Sequence, residues 1–167
     1  MFNVDAITWK TVAFIGVLTV LLPSAIAFAA LLAVNSRQFL VAWVVCGFTA
    51  CVAALIFAQL ALARIVFDGS KLTVGGGLYS VSLNVEAIRI DDVKAINLKD
   101  GTFSLGARVN GIGLPGFALG WFQPSNGRKL FVLATDNQAI LVPTLDKFDL
   151  VVSPTESERF LDALRNQ

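Results

Sequence analysis

Arg108-Val109-Asn110-Gly111-Ile112-Gly113-Leu114-Pro115-Gly116 is the stretch of this sequence whose residue types come closest to a binding chemistry. A guanidinium supplies a planar fork of donors, and glycine-rich backbone can turn successive N–H groups toward one anion. Arg108, Asn110, Gly111, Gly113 and Gly116, with Arg128 and Lys129 further on, are the candidate binding residues for a phosphate or carboxylate. A plainer reading stands beside it. Asn110-Gly111 and Pro115-Gly116 are turn dipeptides, and Trp121-Phe122 would then be core. Gly111, Gly113 and Gly116 also spell G-x-G-x-x-G, but a dinucleotide fingerprint needs a helix after its glycines. Here the run Phe117 to Phe122 reads as a strand.

Catalysis has few groups to work with. The chain contains no histidine, the usual general base and the commonest metal ligand. Both cysteines, Cys46 and Cys51, lie in an apolar run and read as small hydrophobes. Asp91-Asp92 would point to opposite faces of an extended segment, and Asp146 and Asp149 read as solvated turn carboxylates. A serine nucleophile would need lysine as its base, and no Ser/Lys motif is evident. The expectation is a non-enzyme with no catalytic residue, no metal and no cofactor.

The elements that must position the candidate residues begin with two long apolar runs. Thr11–Val34 and Phe39–Ala63 contain no charged side chain and are separated by Asn35-Ser36-Arg37-Gln38. As helices they would each be roughly 36–38 Å long, more than the ~30 Å hydrocarbon core of a bilayer. A chain that is 56% hydrophobic is too apolar for an ordinary soluble domain. The reading is a transmembrane α-hairpin over residues 1–63, with spans 11–34 and 39–63. Pro23 should kink the first span. Ala25, Ala29 and Ala33, and Cys46, Ala50, Ala54 and Ala58, form small-residue ridges along which the helices could approach. Thr19, Thr49 and Gln59 could line something transported, but two helices cannot enclose a pore, and an anchor is the reading taken. Lys10, Arg64 and Lys71 flank the outer ends against Arg37 alone in the loop, which places both termini in the cytoplasm.

Residues 64–167 carry eleven Lys/Arg and eleven Asp/Glu. This balance excludes nucleic acid as the expected partner, since phosphate backbones require a basic excess. Period-two alternation and turn signals such as Asp68-Gly69-Ser70, Gly75-Gly76-Gly77 and Asp100-Gly101 predict short antiparallel strands. Leu130–Thr135, Ala139–Val142 and Phe148–Val152 are the clearest of them. Ser153-Pro154-Thr155-Glu156 reads as a capping box opening a helix over about 154–165, with Phe160, Leu161 and Leu164 on one face. The fold class is α+β: a membrane hairpin, then a mainly antiparallel β sandwich or barrel closed by a C-terminal helix.

The run R-x-N-G-x-G-x-P-G-x-x-x-G-W-F from Arg108, with Lys129–Thr135, Val142-Pro143, Ser153-Pro154 and Phe160-Leu161, resembles the bacterial PH-like domain family. The resemblance implies seven strands in two near-orthogonal sheets with a C-terminal helix. It also implies a pair of membrane spans of the kind similar members often carry, and it transfers no catalytic residue. The basic K-x(n)-R-x-R pattern of phosphoinositide-binding PH domains is absent between Arg64 and Arg89. The expected protein is a multi-pass bacterial inner-membrane module that presents a cytoplasmic β domain to a protein, peptide or anionic lipid head group. Self-association is compatible with this reading. The alternative is an accessory subunit of a larger membrane complex or transporter, assembled through its hairpin.

Overall fold

A computed structural model describes Phe2, residues 9–32 and residues 36–166 of the chain. Ala33, Val34 and Asn35, the expected end of the first span and start of the loop, lie outside the described residues. So do the side chains of Lys10 and Arg37, on which the orientation reading drew.

The first apolar run forms α1 (Trp9–Gly16), a π-helical turn at Val17–Leu21 and α2 (Leu22–Leu32). The second forms α3 (Ser36–Leu62), so Ser36-Arg37-Gln38 are helical and not loop. The π turn has a cause in Pro23. Its ring clashes with the carbonyl four residues back and it has no N–H, so the helix widens and Leu22 N–H donates to Val17 O. Within α3, Trp43–Leu62 is long and apolar enough to cross a membrane by length and composition.

The seam between the two helical stretches is not the pair of alanine ridges. Ala25, Ala29, Ala50, Ala54 and Ala58 are exposed, while Pro23 and Ala53 are buried and Cys46, Thr49 and Ile56 half-buried. Positions 46, 49, 53, 56 and 60 alternate spacings of three and four, which keeps one helix face; a strict spacing of four drifts off it. Cys46 Sγ donates to Pro23 O across the seam at 3.6 Å. Thr19 and Thr49 hydroxyls bond to carbonyls of their own helices.

Nine strands follow, in place of the seven expected. A three-stranded antiparallel sheet contains β1 (Arg64–Phe67), β2 (Lys71–Gly76) and β3 (Tyr79–Asn84). The second sheet contains β4 (Lys94–Asn97), β5 (Ala107–Leu114), β6 (Phe117–Gln123), β7 (Lys129–Ala134), β8 (Gln138–Val142) and β9 (Phe148–Val152). Its order is β4-β8-β9-β7-β6-β5. The chain therefore passes from β7 to β8 and returns to place β9 between them, antiparallel to β8 and parallel to β7. Both faces of this centre are covered, which explains why Leu130–Ala134 is continuously apolar and buried. On one face Phe131, Leu133, Leu150 and Val152 join Ile65, Leu72 and Val74 of the small sheet and Phe160 and Leu164 of the last helix. On the other, Leu130, Val132 and Val151 are covered by Leu98, Phe103 and Leu105.

The last helix, α4, runs Ser157–Arg165 and begins later than 154. The capping box does not form. Ser153 N–H still pairs with Leu133 O and its hydroxyl donates to Gln138 O, while Glu156 binds Arg159. Asp91 and Asp92 lie in a 3-10 turn, where Asp92 pairs with Arg89 at 3.3 Å.

The helices are joined to the β domain at two places. Thr11 Oγ1 donates to Pro115 O at the β5–β6 tip (3.2 Å), and Ile15 and Leu60 are part of the domain core. Gln59, only 5% exposed, grips the β2–β3 turn with both ends of its amide. Nε2 donates to Gly76 O, and Oε1 accepts from Leu78 N–H at 3.0 Å.

Candidate functional site

The glycine stretch is a β-hairpin and not a loop. Asn110 and Gly111, expected as a turn, lie inside β5, where the register with β6 shifts between Arg108 and Asn110. Gly111 sits directly opposite Gly120, with φ of +148° and +127°, and a Cβ on either would overlap the backbone of the other strand. These glycines are required by close approach of two strands across a bulge. The Pro115-Gly116 turn forms as expected, with Gly116 at φ +79°.

The register also fixes where the candidate side chains point. Arg108 pairs with Phe122, and Gly111 and Gly113 with Gly120 and Ala118, all on the face covered by Leu98 and Phe103. Arg108 extends along this lane of missing side chains, so a Cβ on Gly113 would come within 3.2 Å of its Nη1. Asn110 pairs with Trp121 on the opposite face, where its Oδ1 accepts from Tyr79 OH at 3.0 Å and links the two sheets.

Arg128 and Lys129 have other engagements. Arg128 Nη1 donates to Thr144 O at 3.0 Å and lies 3.6 Å from Asp149 Oδ1. Asp149 is buried rather than solvated, and accepts from Thr144 N–H at 2.9 Å. The three residues brace the β8–β9 turn. Lys129 places its ammonium 4.5 Å from the centre of the Trp121 ring, which packs edge-on against Phe131 and Phe148. The candidate residues are therefore distributed over two faces and one turn, and Arg108 and Lys129 project to opposite sides of the sheet. Sequence reading missed the Arg128–Asp149 pair because the β9 insertion that brings them together is a long-range event.

A cavity of about 710 Å³ opens between Trp9 of α1, the β5–β6 tip, the β7–β8 turn and the residues before α4. Of the candidate residues only Gly116 lines it. Two of its hydroxyls are committed within the fold: Ser153 to Gln138 O and Ser157 to Pro154 O.

Two turn carboxylates titrate below their usual value. Asp68 is lowered chiefly because it accepts from Ser70 N–H, then from Lys71 N–H and the Ser70 hydroxyl. Asp100 is lowered by the Thr102 hydroxyl and then the Thr102 N–H. Both are Asx turns that hold a loop.

No curated protein and no solved structure matches the chain. A family model described as "Bacterial PH domain" matches residues 64–167, more than half of its length.

Proposed function

The chain belongs to the bacterial PH domain family, and from that premise we propose that it is a membrane-anchored binding or scaffolding module, not an enzyme. In this reading α1 to α3 cross the bacterial inner membrane twice, and both ends of the chain lie in the cytoplasm. The β domain is presented at the membrane surface to a protein, peptide or anionic head group. The observation that carries the reading is the outer surface of α3. Val44, Phe48 and Leu55 are 62%, 70% and 64% exposed on a helix long enough to span, which leads within two residues into β1. Apolar side chains so exposed are at rest in lipid and costly in water.

The second reading, an accessory subunit assembled through its helices, draws support from Ala50, Ala54 and Ala58, which face outward and would admit another helix. An affinity pull-down from native membranes separates the two, comparing wild type, Arg108→Ala and a chain whose helices are exchanged for an unrelated apolar hairpin that keeps Thr11, Ile15, Gln59 and Leu60 against the β domain. The binding-module reading expects partners to survive the exchange and to weaken with Arg108→Ala. Partners that follow the helices and ignore Arg108 would establish the second reading in its place.

A further inference from the structure

We propose that the Gly77–Leu78 tip of the β2–β3 hairpin is seated in the bilayer beside α3, with Leu78 against the lipid acyl chains. This rests on reading α3 as membrane-spanning. Gln59 lies three residues before the end of the apolar segment Trp43–Leu62, so its depth is roughly 4–5 Å inside that end. The tip is fixed at the same depth. Gln59 holds Gly76 O and Leu78 N–H. A Cβ on Gly76 would overlap the Leu62 carbonyl, and one on Gly77 would meet the Gln59 amide, so the hairpin lies directly on the last turn of the helix.

Leu78 is 84% exposed, more than any other large apolar side chain among the described residues. Leu55 and Leu62, four residues before and three after Gln59, are exposed on the same face of α3 as the residue that holds the tip. Irregular backbone is tolerated at membrane depth only where its polar groups are satisfied by the protein. The Gln59 amide supplies part of that condition, since it occupies the N–H of Leu78 and the carbonyl of Gly76. It also accounts for an amide near the end of an apolar helix, where hydrocarbon would leave it unpaired.

The test uses the full chain in proteoliposomes, with Cys46→Ala and Cys51→Ala removing the native thiols. Single cysteines are placed by Leu78→Cys, Leu55→Cys and Leu145→Cys, all exposed positions whose replacement leaves the core intact. Leu145 lies in the β8–β9 turn, at the end of the sheet away from Trp9 and Pro115. A membrane-impermeant maleimide should label Leu78→Cys and Leu55→Cys at least about tenfold more slowly than Leu145→Cys, since the Gln59 bonds and the helix still hold those two positions in the bilayer once the leucine is gone. Denaturation in detergent should equalise the three. If Leu78→Cys reacts as fast as Leu145→Cys while Leu55→Cys is protected, the tip is in water and the inference is overturned with the membrane reading intact. If Leu55→Cys also reacts freely, the membrane reading fails and the inference falls with it.

Discussion

Replacing Gln59 with leucine keeps the apolar character of α3 and removes its grip on the β domain. The change leaves Gly76 O and Leu78 N–H without the partners they have now. Each hydrogen bond contributes about 1 kcal/mol net, and a backbone group left unsatisfied away from water costs about 1–3 kcal/mol. The expected loss is therefore about 2–4 kcal/mol, or a fall of roughly 5–15 °C in Tm for a chain of this size. Gln59→Glu is the informative companion. Its carboxylate can still accept from Leu78 N–H but faces the Gly76 carbonyl without a proton to donate. Gln59→Glu should therefore lose the bond to Gly76 O and melt below wild type. Circular dichroism melts in detergent micelles measure both, with amide exchange at Leu78 as the local readout. A Gln59→Leu protein that melts within about 1 °C of wild type, with unchanged protection at Leu78, would refute the brace.

Other outcomes follow from single contacts. Gly76→Ala should destabilise by at least about 2 kcal/mol in the same melts, because its methyl group has no room beside the Leu62 carbonyl. Arg128→Ala should cost about 1.5–3 kcal/mol in urea titrations, since it strips Thr144 O and the buried Asp149 carboxylate of a charged donor, and Arg128→Lys should restore only part. Arg108→Ala should stay within about 0.5 kcal/mol, its side chain being exposed along the glycine lane. Asp68 has a lowered folded pKa, so its contribution is complete above 3.8 and is lost as pH falls through the lowered value. Asp68→Asn keeps an acceptor for Ser70 and should flatten the acid limb of a pH–Tm profile.

The sequence carried the local features well and the long-range ones poorly. Short apolar runs bounded by turn signals located Leu130–Thr135 and Ala139–Val142, and alternation located Phe148–Val152, each within a residue of β7, β8 and β9, because burial of side chains is written directly into local composition. It could not reveal that β9 lies between β7 and β8, since pairing order leaves no local trace in composition. The continuous apolar run of β7 was the available signal of a centre covered on both faces. Asn110-Gly111 misled because glycine tolerates positive φ in a bulge as readily as in a turn, and only the partner Gly120 distinguishes them. Ser153 misled for a related reason: a capping residue and the last residue of a strand are both places where a hydroxyl meets backbone. Gln59 was visible as an amide near the end of an apolar run, nine or more residues before any charged side chain other than Arg64, and the triple glycine that follows was its partner.

The central claim is that an apolar helical stretch holds the β domain at the cytoplasmic face of a membrane. Alkaline carbonate washing of membranes from cells expressing a C-terminally tagged chain, followed by protease treatment of inside-out vesicles and of intact spheroplasts, tests it directly. The account predicts a tag that stays with the carbonate-washed pellet, is digested in inside-out vesicles and is protected in spheroplasts. Release into the carbonate supernatant, or digestion in intact spheroplasts, would contradict it.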